Sequence, residues 1–427
     1  MIFLYRIFTY LIYPFLVILI FFRKIKKKED VKRYKEKIFP FSFNVKRNLN
    51  KNLIWFHAAS IGEVKSIFPI IDHLNQNNKN LEFLITTLTL SSSVVANEKI
   101  KDFSNMQHRF LPLDIPFLIK KFISGWRPSY IFLVDSEIWP NLILTSKEMR
   151  IPVAILNARI TEKSFKKWMI IKKTAEKVFR CFELCLVSNL ETKKYFEKLR
   201  IKNVYFAGNL KFIDQIDQSK LFNVNEDILI SKKFWCAAST HEGEEEICFD
   251  THLKLKRDYK KIITIIFPRH IERIKSLKKL CDKLNLSSQI LNNNEIIDNK
   301  SEIVFVNSFG NLPNYFKFAN SVFIGKSLLE KLKKQGGQNP IEAATMGCKI
   351  YHGPYVYNFH EVYNTLSEYN ITKMIKNSDE LAKNLKEDFK NSTKDLKKNQ
   401  SFMNNLSNKT LINNMRKINN FILNENK

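Results

Sequence analysis

Glycine and proline are scarce, at 10 and 12 among 427 residues. So little of either excludes collagen-like and low-complexity chains. Cysteine is sparse too: six, at 181, 185, 236, 248, 281 and 348, none in a CxxC pair. Cys181 and Cys185 stand four apart, but Glu183–Ser188 reads as a strand, and no histidine follows at zinc-site spacing. Scattered thiols in a chain this long point to a reducing compartment, with most buried as small apolar groups. Neither GxGxxG nor GxxxxGK(S/T) stands at a strand–helix junction, and HExxH is missing. A dinucleotide fingerprint, a P-loop and a metal centre are therefore not implied. Acidic residues are also short, with 42 Asp+Glu against 70 Lys+Arg, a net +28. An excess of that size calls for a polyanionic partner: nucleic acid, an anionic membrane surface or a phosphorylated substrate. Part of it is compositional, since Lys, Asn, Ile and Phe are abundant throughout.

The chain does hold apolar matter. Hydrophobic residues make up 44% and aromatics 13%, enough for a large core and against wholesale disorder. At roughly 100–200 residues per domain, the length suggests two domains.

The N-terminus carries the longest uncharged run, Ile7–Phe22. With residues 1–5 it approaches the roughly 20 apolar residues of a membrane span, and Pro14 stands inside it. Nine basic residues follow between Arg23 and Lys37. Such a cluster holds its flank in the cytoplasm and suits anionic lipid. No small-residue cleavage site follows Phe22, which favours a retained anchor over a removed signal peptide. A buried core helix is the alternative, and the run does not separate spanning from lying on the surface.

From residue 52 onward, strand-like runs alternate with amphipathic stretches. Strands are expected at 52–57, 82–87, 109–113, 130–135, 152–157, 183–188 and 204–207. After a polar stretch, 214–227, they resume at 234–238, 261–267, 303–306, 321–324, 349–352 and 372–375. Val64, Ile67, Phe68, Ile71 and Leu74 mark one apolar helix face, and Pro116 opens another helix. Alternation of this kind gives α/β architecture: two Rossmann-like doubly wound domains with mostly parallel sheets. Ligands of such sheets bind beyond the carboxyl ends of the strands, and the cleft between two such domains is the natural site. The expected division is 1–30 for the anchor and basic flank, 31–218 for the first domain and 219–427 for the second, with an amphipathic tail helix.

Several strand ends carry chemistry. His57-Ala-Ala-Ser60-Ile-Gly62-Glu63 places a carboxylate in a first helical turn, where it can take a proton from a hydroxyl. The same spacing is a capping box, with Ser60 as cap and Glu63 as its partner; both roles can coexist. Val134-Asp135-Ser136-Glu137 brings two acids to the end of the fourth strand, or a helix cap. Gly208-Asn209-Leu210-Lys211 supplies a cation that can balance developing charge. In the second half, Ser239–Glu244 opens a helix and reads as an anion site of backbone N–H groups. Arg269, after Pro268, suits a phosphate. Gly310 and Asn311 end the next strand. Gly336-Gly337-Gln338-Asn339-Pro340-Ile341-Glu342 lets backbone approach a ligand. Four strand-end motifs in one half favour a nucleotide. The strand-end histidines 57, 241 and 270 read as satisfied structural groups.

Taken in order, these motifs resemble the 3-deoxy-D-manno-octulosonic acid (Kdo) transferases of Gram-negative bacteria. The matching residues are HAASIGE at 57–63, FLPLDIP at 110–116, EIWPN at 137–141, NAR at 157–159, GNLKF at 208–212, STHEGEE at 239–245, FPRHIER at 267–273 and GGQNPIEAA at 336–344. The resemblance implies a GT-B glycosyltransferase with an acceptor-binding first domain and a CMP-Kdo-binding second domain. It implies inverting transfer of Kdo from CMP-Kdo to lipid IVA at the cytoplasmic face of the inner membrane, without metal or cofactor. By similarity, Glu63 is the general base, and Asp135 and Lys211 stabilise the transition state. The CMP contacts fall on Pro268, Arg269, Phe309, Gly310, Asn311, Asn339, Pro340, Ile341 and Glu342. Two departures stand out: the family usually has Glu where this chain has Asp135, and the loop 329–335 is longer than usual. A GT-B enzyme using a UDP-sugar, and a nucleic-acid-binding protein, are the alternatives from other classes. No nucleic-acid reader motif is present, so nucleic acid is not an expected partner.

Overall fold

The computed structural model describes the chain except residues 40–46, 214, 215, 217, 309, 334, 335, 392, 393 and 424–427, and the side chains of 391, 394 and 395. It divides into two compact units, 1–214 with 407–427, and 215–406.

The first unit is built on seven parallel strands: β1 Asn52–His57, β2 Leu81–Thr87, β3 Met106–Phe110, β4 Tyr130–Val134, β5 Val153–Ala158, β6 Phe182–Val187 and β7 Val204–Phe206. Their order is β3-β2-β1-β4-β5-β6-β7. Strand order reverses between β1 and β4, which pair in parallel with His57 opposite Leu133. A switch point of this kind opens a crevice beyond the strand ends. The strands are apolar on both faces because helices cover both. Trp55, Ile131, Leu133 and Phe179 fill one layer; Phe56, Phe132, Val64, Ile67 and Ile71 fill the other. The predicted face of the helix Ile61–Asn77 is buried as expected, and Pro116 opens the helix Pro116–Trp126.

The second unit repeats the plan with β8 Phe234–Thr240, β9 Ile263–Pro268, β10 Ser288–Leu291, β11 Ile303–Val306, β12 Ser321–Ile324, β13 Lys349–His352 and β14 Thr372–Met374. Their order is β10-β11-β9-β8-β12-β13-β14, again all parallel. Two differences from the sequence reading stand out here. β3 begins three residues earlier than expected, and β10 was not anticipated, being a four-residue edge strand with three residues only half-buried.

The tail also departs from expectation. The last helix, Lys394–Leu423, starts in the second unit and ends in the first. Met415, Ile418 and Ile422 join the first unit's core, and Tyr130 donates to the Ile422 carbonyl. Within the second unit, Asn399 and Gln400 donate to the Gly347 and Met346 carbonyls.

The N-terminal helix Ile2–Ile25 is long and apolar enough to cross a membrane, yet one stripe of it is bound to the first unit. Tyr5 donates to Asp114, Thr9 accepts from Asn141, Tyr13 donates to the Ile38 carbonyl, and Arg6 pairs with Glu148. The opposite stripe, with Phe3, Phe8, Leu11, Phe15, Leu19 and Phe22, is exposed. The basic flank is not all free charge either. Arg23 and Lys37 both bind the buried Glu29, and Arg33 pairs with Glu36 and contacts His108. Lys26, Lys27, Lys28, Lys32 and Lys35 remain exposed.

Candidate active site

Glu63 sits in the first turn after β1, and Ser60 caps that helix as the spacing suggested. The Ser60 hydroxyl accepts from the Glu63 backbone N at 3.3 Å and donates to Oε1 at 2.6 Å. Oε2 accepts from the Ala59 N–H at 2.8 Å. The capping interaction therefore fixes the carboxylate at the end of β1.

Asp135 follows β4 directly, with φ at 59°. Aspartate tolerates this left-handed region better than most residues, and the turn aims its carboxylate toward Lys211, whose Nζ lies 3.2 Å from Oδ2. Lys211 itself is carried by the turn after β7. That turn is held from two sides: Asn157 accepts from the Leu210 N–H at 2.9 Å, and Asn414 of the last helix donates to the Ala207 carbonyl at 3.0 Å. Gly208 is required there, because φ is +88° and a Cβ would stand 2.9 Å from Thr410 Oγ1. Glu63, Asp135 and Lys211 thus gather at the carboxyl ends of one sheet, around its switch point.

Glu137 belongs to the same group. Its Oε2 accepts from His57 Nε2 at 3.1 Å and from Trp139 Nε1 at 2.8 Å. His57 is fully buried, as the structural reading of it expected; its link to Glu137 gave no sequence signal, because the partners lie 80 residues apart.

The carboxylates are tuned apart. Burial pushes the Glu63 carboxyl above its ordinary range; the Ser60 and Ala59 hydrogen bonds pull it back, and the charges of Asp135 and Glu137 push it further up. Burial also works against ionisation of Glu137, but the hydrogen bonds from His57 and Trp139 prevail and hold it below its ordinary range. Carboxylates separated in this way divide the roles: one takes protons, the other stays charged.

In the second unit, the predicted donor residues again stand at strand ends. Pro268 closes β9, buried; Arg269 follows it, exposed, with its backbone N–H on the Thr240 carbonyl. Gly310 and Asn311 follow β11, and Asn311 donates to Ser308 and Asn293. Phe309 falls outside the described residues. Asn339 accepts from the Ile341 N–H at 3.0 Å and starts the helix Ile341–Thr345. Pro340 is the cap of that helix, and Glu342 lies in its first turn. Gly336 is demanded by the fold itself, since a Cβ would stand 2.1 Å from the Tyr355 carbonyl. Beside Asn311 lies a polar pocket of about 220 Å³, lined by Asn223, Asn225, Asn292, Asn294 and Tyr315, among others. The sequence reading did not anticipate it.

One expectation is corrected. The N–H groups after β8 do not form an open anion site. The buried Glu244 carboxylate fills it, accepting from the His241, Lys326, Ser327 and Leu328 N–H groups at 2.7–3.0 Å. Its neighbour Glu245 is taken by Arg273 and Thr240. The loop after β12 packs here as well, with Leu329 against Gly243, where a Cβ would meet it at 2.8 Å.

Comparison with known proteins decides the family. A family model described as 3-Deoxy-D-manno-octulosonic-acid transferase (kdotransferase) matches residues 32–214. A 3-deoxy-D-manno-octulosonic acid transferase of Rickettsia bellii is 31% identical over 354 residues, 82% of each chain. The chain belongs to the Kdo transferase family. A second relative, of Haemophilus influenzae, is 30% identical over 325 residues, 74% of each chain. Among solved structures, a UDP-GlcNAc 2-epimerase from Neisseria meningitidis aligns with a TM-score of 0.56 at 13% identity, covering 85% of this chain and 98% of that one. A glycosyltransferase from Rickettsia africae aligns at 0.53 and 11%, covering 88% and 98%. These likenesses concern the fold, which is GT-B. Family and fold together make the chain a Kdo-transferring glycosyltransferase.

Proposed function

We propose that the protein transfers Kdo from CMP-Kdo to lipid IVA with inversion, using Glu63 as general base. The observation that carries this reading is the division among the strand-end carboxylates. Glu63 is the one whose burial and charged neighbours raise its affinity for a proton, while Asp135 faces Lys211 and Glu137 faces His57. In the reaction, Glu63 takes the proton of the acceptor hydroxyl. The oxygen attacks the anomeric carbon of Kdo as its bond to the CMP phosphate breaks, and CMP leaves with the electron pair. Base assistance of this type contributes roughly 10²–10⁴-fold. Lys211, fixed by Asp135, stabilises charge that develops in the transition state.

Arg269 and the segments Phe309–Asn311 and Asn339–Glu342 hold the nucleotide, as the family motifs imply. The scheme needs neither metal nor cofactor. Its partners are CMP-Kdo, lipid IVA and the anionic surface of the inner membrane on the cytoplasmic side. The N-terminal helix lies in that surface: its polar stripe is bound along the first unit, its apolar stripe is exposed, and exposed lysines follow it. Such an amphipathic arrangement suits the headgroup boundary.

The test is incubation with CMP-Kdo and lipid IVA, read by mass spectrometry of the lipid, with UDP-sugars as competing donors. Addition of Kdo by the wild type, lost by at least about 100-fold in Glu63→Gln, is expected. Near-normal turnover by that variant sinks the base assignment.

A further inference from the structure

We propose that Asp114 is a positioning residue of the transfer reaction. It fastens the start of the helix Pro140–Glu148 to the N-terminal helix, so that the helix facing the membrane also fixes the turn that carries Asp135 and Glu137. This rests on the reading of the strand-end acids as the site of transfer.

The transfer scheme leaves the motif at 110–116 without a task, and its one charged residue is Asp114. The helix Pro140–Glu148 opens on a proline, so its first free backbone donors are the Asn141 and Leu142 N–H groups. Its cap residue, Trp139, has no side-chain oxygen to accept them. Asp114 does so from 27 residues before Asn141: Oδ2 accepts from the Asn141 N–H at 3.0 Å and Oδ1 from the Leu142 N–H at 2.8 Å. A carboxylate there also meets the positive end of the helix dipole. The Asn141 side chain answers with a bond to the Asp114 carbonyl at 2.6 Å.

The same two residues hold the N-terminal helix. Tyr5 donates to Asp114 Oδ2 at 3.1 Å, and Asn141 Nδ2 donates to Thr9 Oγ1 at 3.2 Å. Thr9 gives its own proton to the Arg6 carbonyl at 2.8 Å. Arg6 pairs at 2.7 Å with Glu148, the last residue of the other helix. The helix Pro140–Glu148 is thus gripped at both ends. Asn141 is fully buried and Thr9 nearly so, so water does not compete for their bond. Tyr5, Thr9 and Tyr13 recur every four residues, on one face of an apolar helix. A helix that only anchors has no use for such a row of hydroxyls.

Only the turn 135–139 separates this grip from the acids. At one end of it, the Asp135 N–H bonds the Leu156 carbonyl at 2.9 Å. At the other, Trp139 gives its indole N–H to Glu137 at 2.8 Å. A shift of the helix start therefore moves Trp139 and Glu137, and strains the turn on which Asp135 faces Lys211 at 3.2 Å. Misplacement by about 1 Å at a reacting centre costs up to about 100-fold in rate.

The experiment measures kcat and KM of the full-length protein on detergent-dispersed lipid IVA, so that attachment to a bilayer does not enter. Tyr5→Phe combined with Thr9→Val cuts both bonds to the N-terminal helix and leaves the Asp114 cap on Asn141 and Leu142 in place. In that double variant kcat falls by at least about fivefold, while KM for CMP-Kdo stays within about twofold. Amide exchange at Asn141 and Leu142 quickens. Tyr5→Phe combined with Thr9→Ser keeps the acceptor at position 9 and recovers part of kcat. Asp114→Ala removes the cap as well and lowers kcat further; if it fails to fold, the double variant decides alone. An unchanged kcat in the double variant, beside an inactive Glu63→Gln, overturns the link and leaves the base assignment standing. A KM for CMP-Kdo that rises in step with a falling melting temperature also overturns it, because the whole fold has then loosened. Turnover in Glu63→Gln overturns the base assignment and not the link.

Discussion

Asn414 donates to the Ala207 carbonyl at 3.0 Å, across 207 residues of sequence. Through that bond the last helix holds the turn that carries Lys211. Asn414 is fully buried, so Asn414→Leu leaves the carbonyl without its donor at a cost of about 1–3 kcal/mol. The expected outcome is a fall in kcat of about tenfold with little change in affinity for the nucleotide. A loss of stability with kcat untouched contradicts the link to Lys211.

Asp135→Glu lengthens the acid at this position by one methylene. The longer side chain still reaches Lys211, so transfer persists. The left-handed backbone at 135 suits Glu less well, and stability falls by about 0.5–1 kcal/mol. Thermal unfolding and turnover measured on the same sample check both halves; complete loss of turnover shows a site reshaped around Asp.

Glu244→Ala strips the acceptor from four backbone N–H groups at once. Each buried N–H left without an acceptor costs about 1–3 kcal/mol, so a loss of several kcal/mol is expected. The midpoint of urea unfolding reads this directly, and a midpoint within error of the wild type refutes the role given to Glu244.

Three buried histidines make stability pH-dependent. Burial, aided by Arg33 and Arg109, lowers His108 to about 3; burial lowers His252 and His352 to about 4. Unfolded histidine titrates near 6.5. Below that pH the unfolded chain takes up protons that the folded chain refuses, so stability is full above about 6.5 and is lost as pH falls toward 4. Each group costs roughly 1–2 kcal/mol by pH 5. The melting temperature should drop between pH 7.5 and 5, and a flat profile over that range speaks against it.

The exposed stripe of the N-terminal helix predicts vesicle binding that is both apolar and electrostatic. Phe8→Ser with Leu11→Ser and Phe15→Ser should release the protein from phosphatidylglycerol vesicles, and salt should weaken the wild-type attachment. Tyr5→Phe should leave binding intact but speed amide exchange across residues 5–13. Retention of the triple variant on vesicles rules out this stripe as the contact.

Much of the fold is legible in the residues because parallel strands buried on both faces are continuous apolar runs. Leu53–Phe56 and Ile131–Val134 are of this kind. β10 is not: Ser288, Gln289 and Ile290 are half-exposed at a sheet edge, and burial supplied no pattern. β3 was displaced because Leu111, Leu113 and Ile115 prolong the apolar run beyond the last ladder bond. The candidate site was legible where one short segment carries both cap and carboxylate, as at Ser60 and Glu63. It was illegible where partners meet across strands, as His57 does with Glu137. Glu244 misled for a related reason: its motif looked receptive to an anion, and the anion was its own side chain.

The last helix has a consequence for how the molecule is made. Met415, Ile418 and Ile422 complete a core whose other members lie before residue 214. During synthesis those earlier residues emerge first and wait, with an apolar gap, while the whole of 215–406 is added. The second unit can finish folding on the ribosome before the first one can. Completion of this earlier-made core is thus deferred to a segment made much later. A polypeptide cut short after residue 406 would carry strand ends with no helix to steady the turn at Gly208, and an open seam beside Phe132.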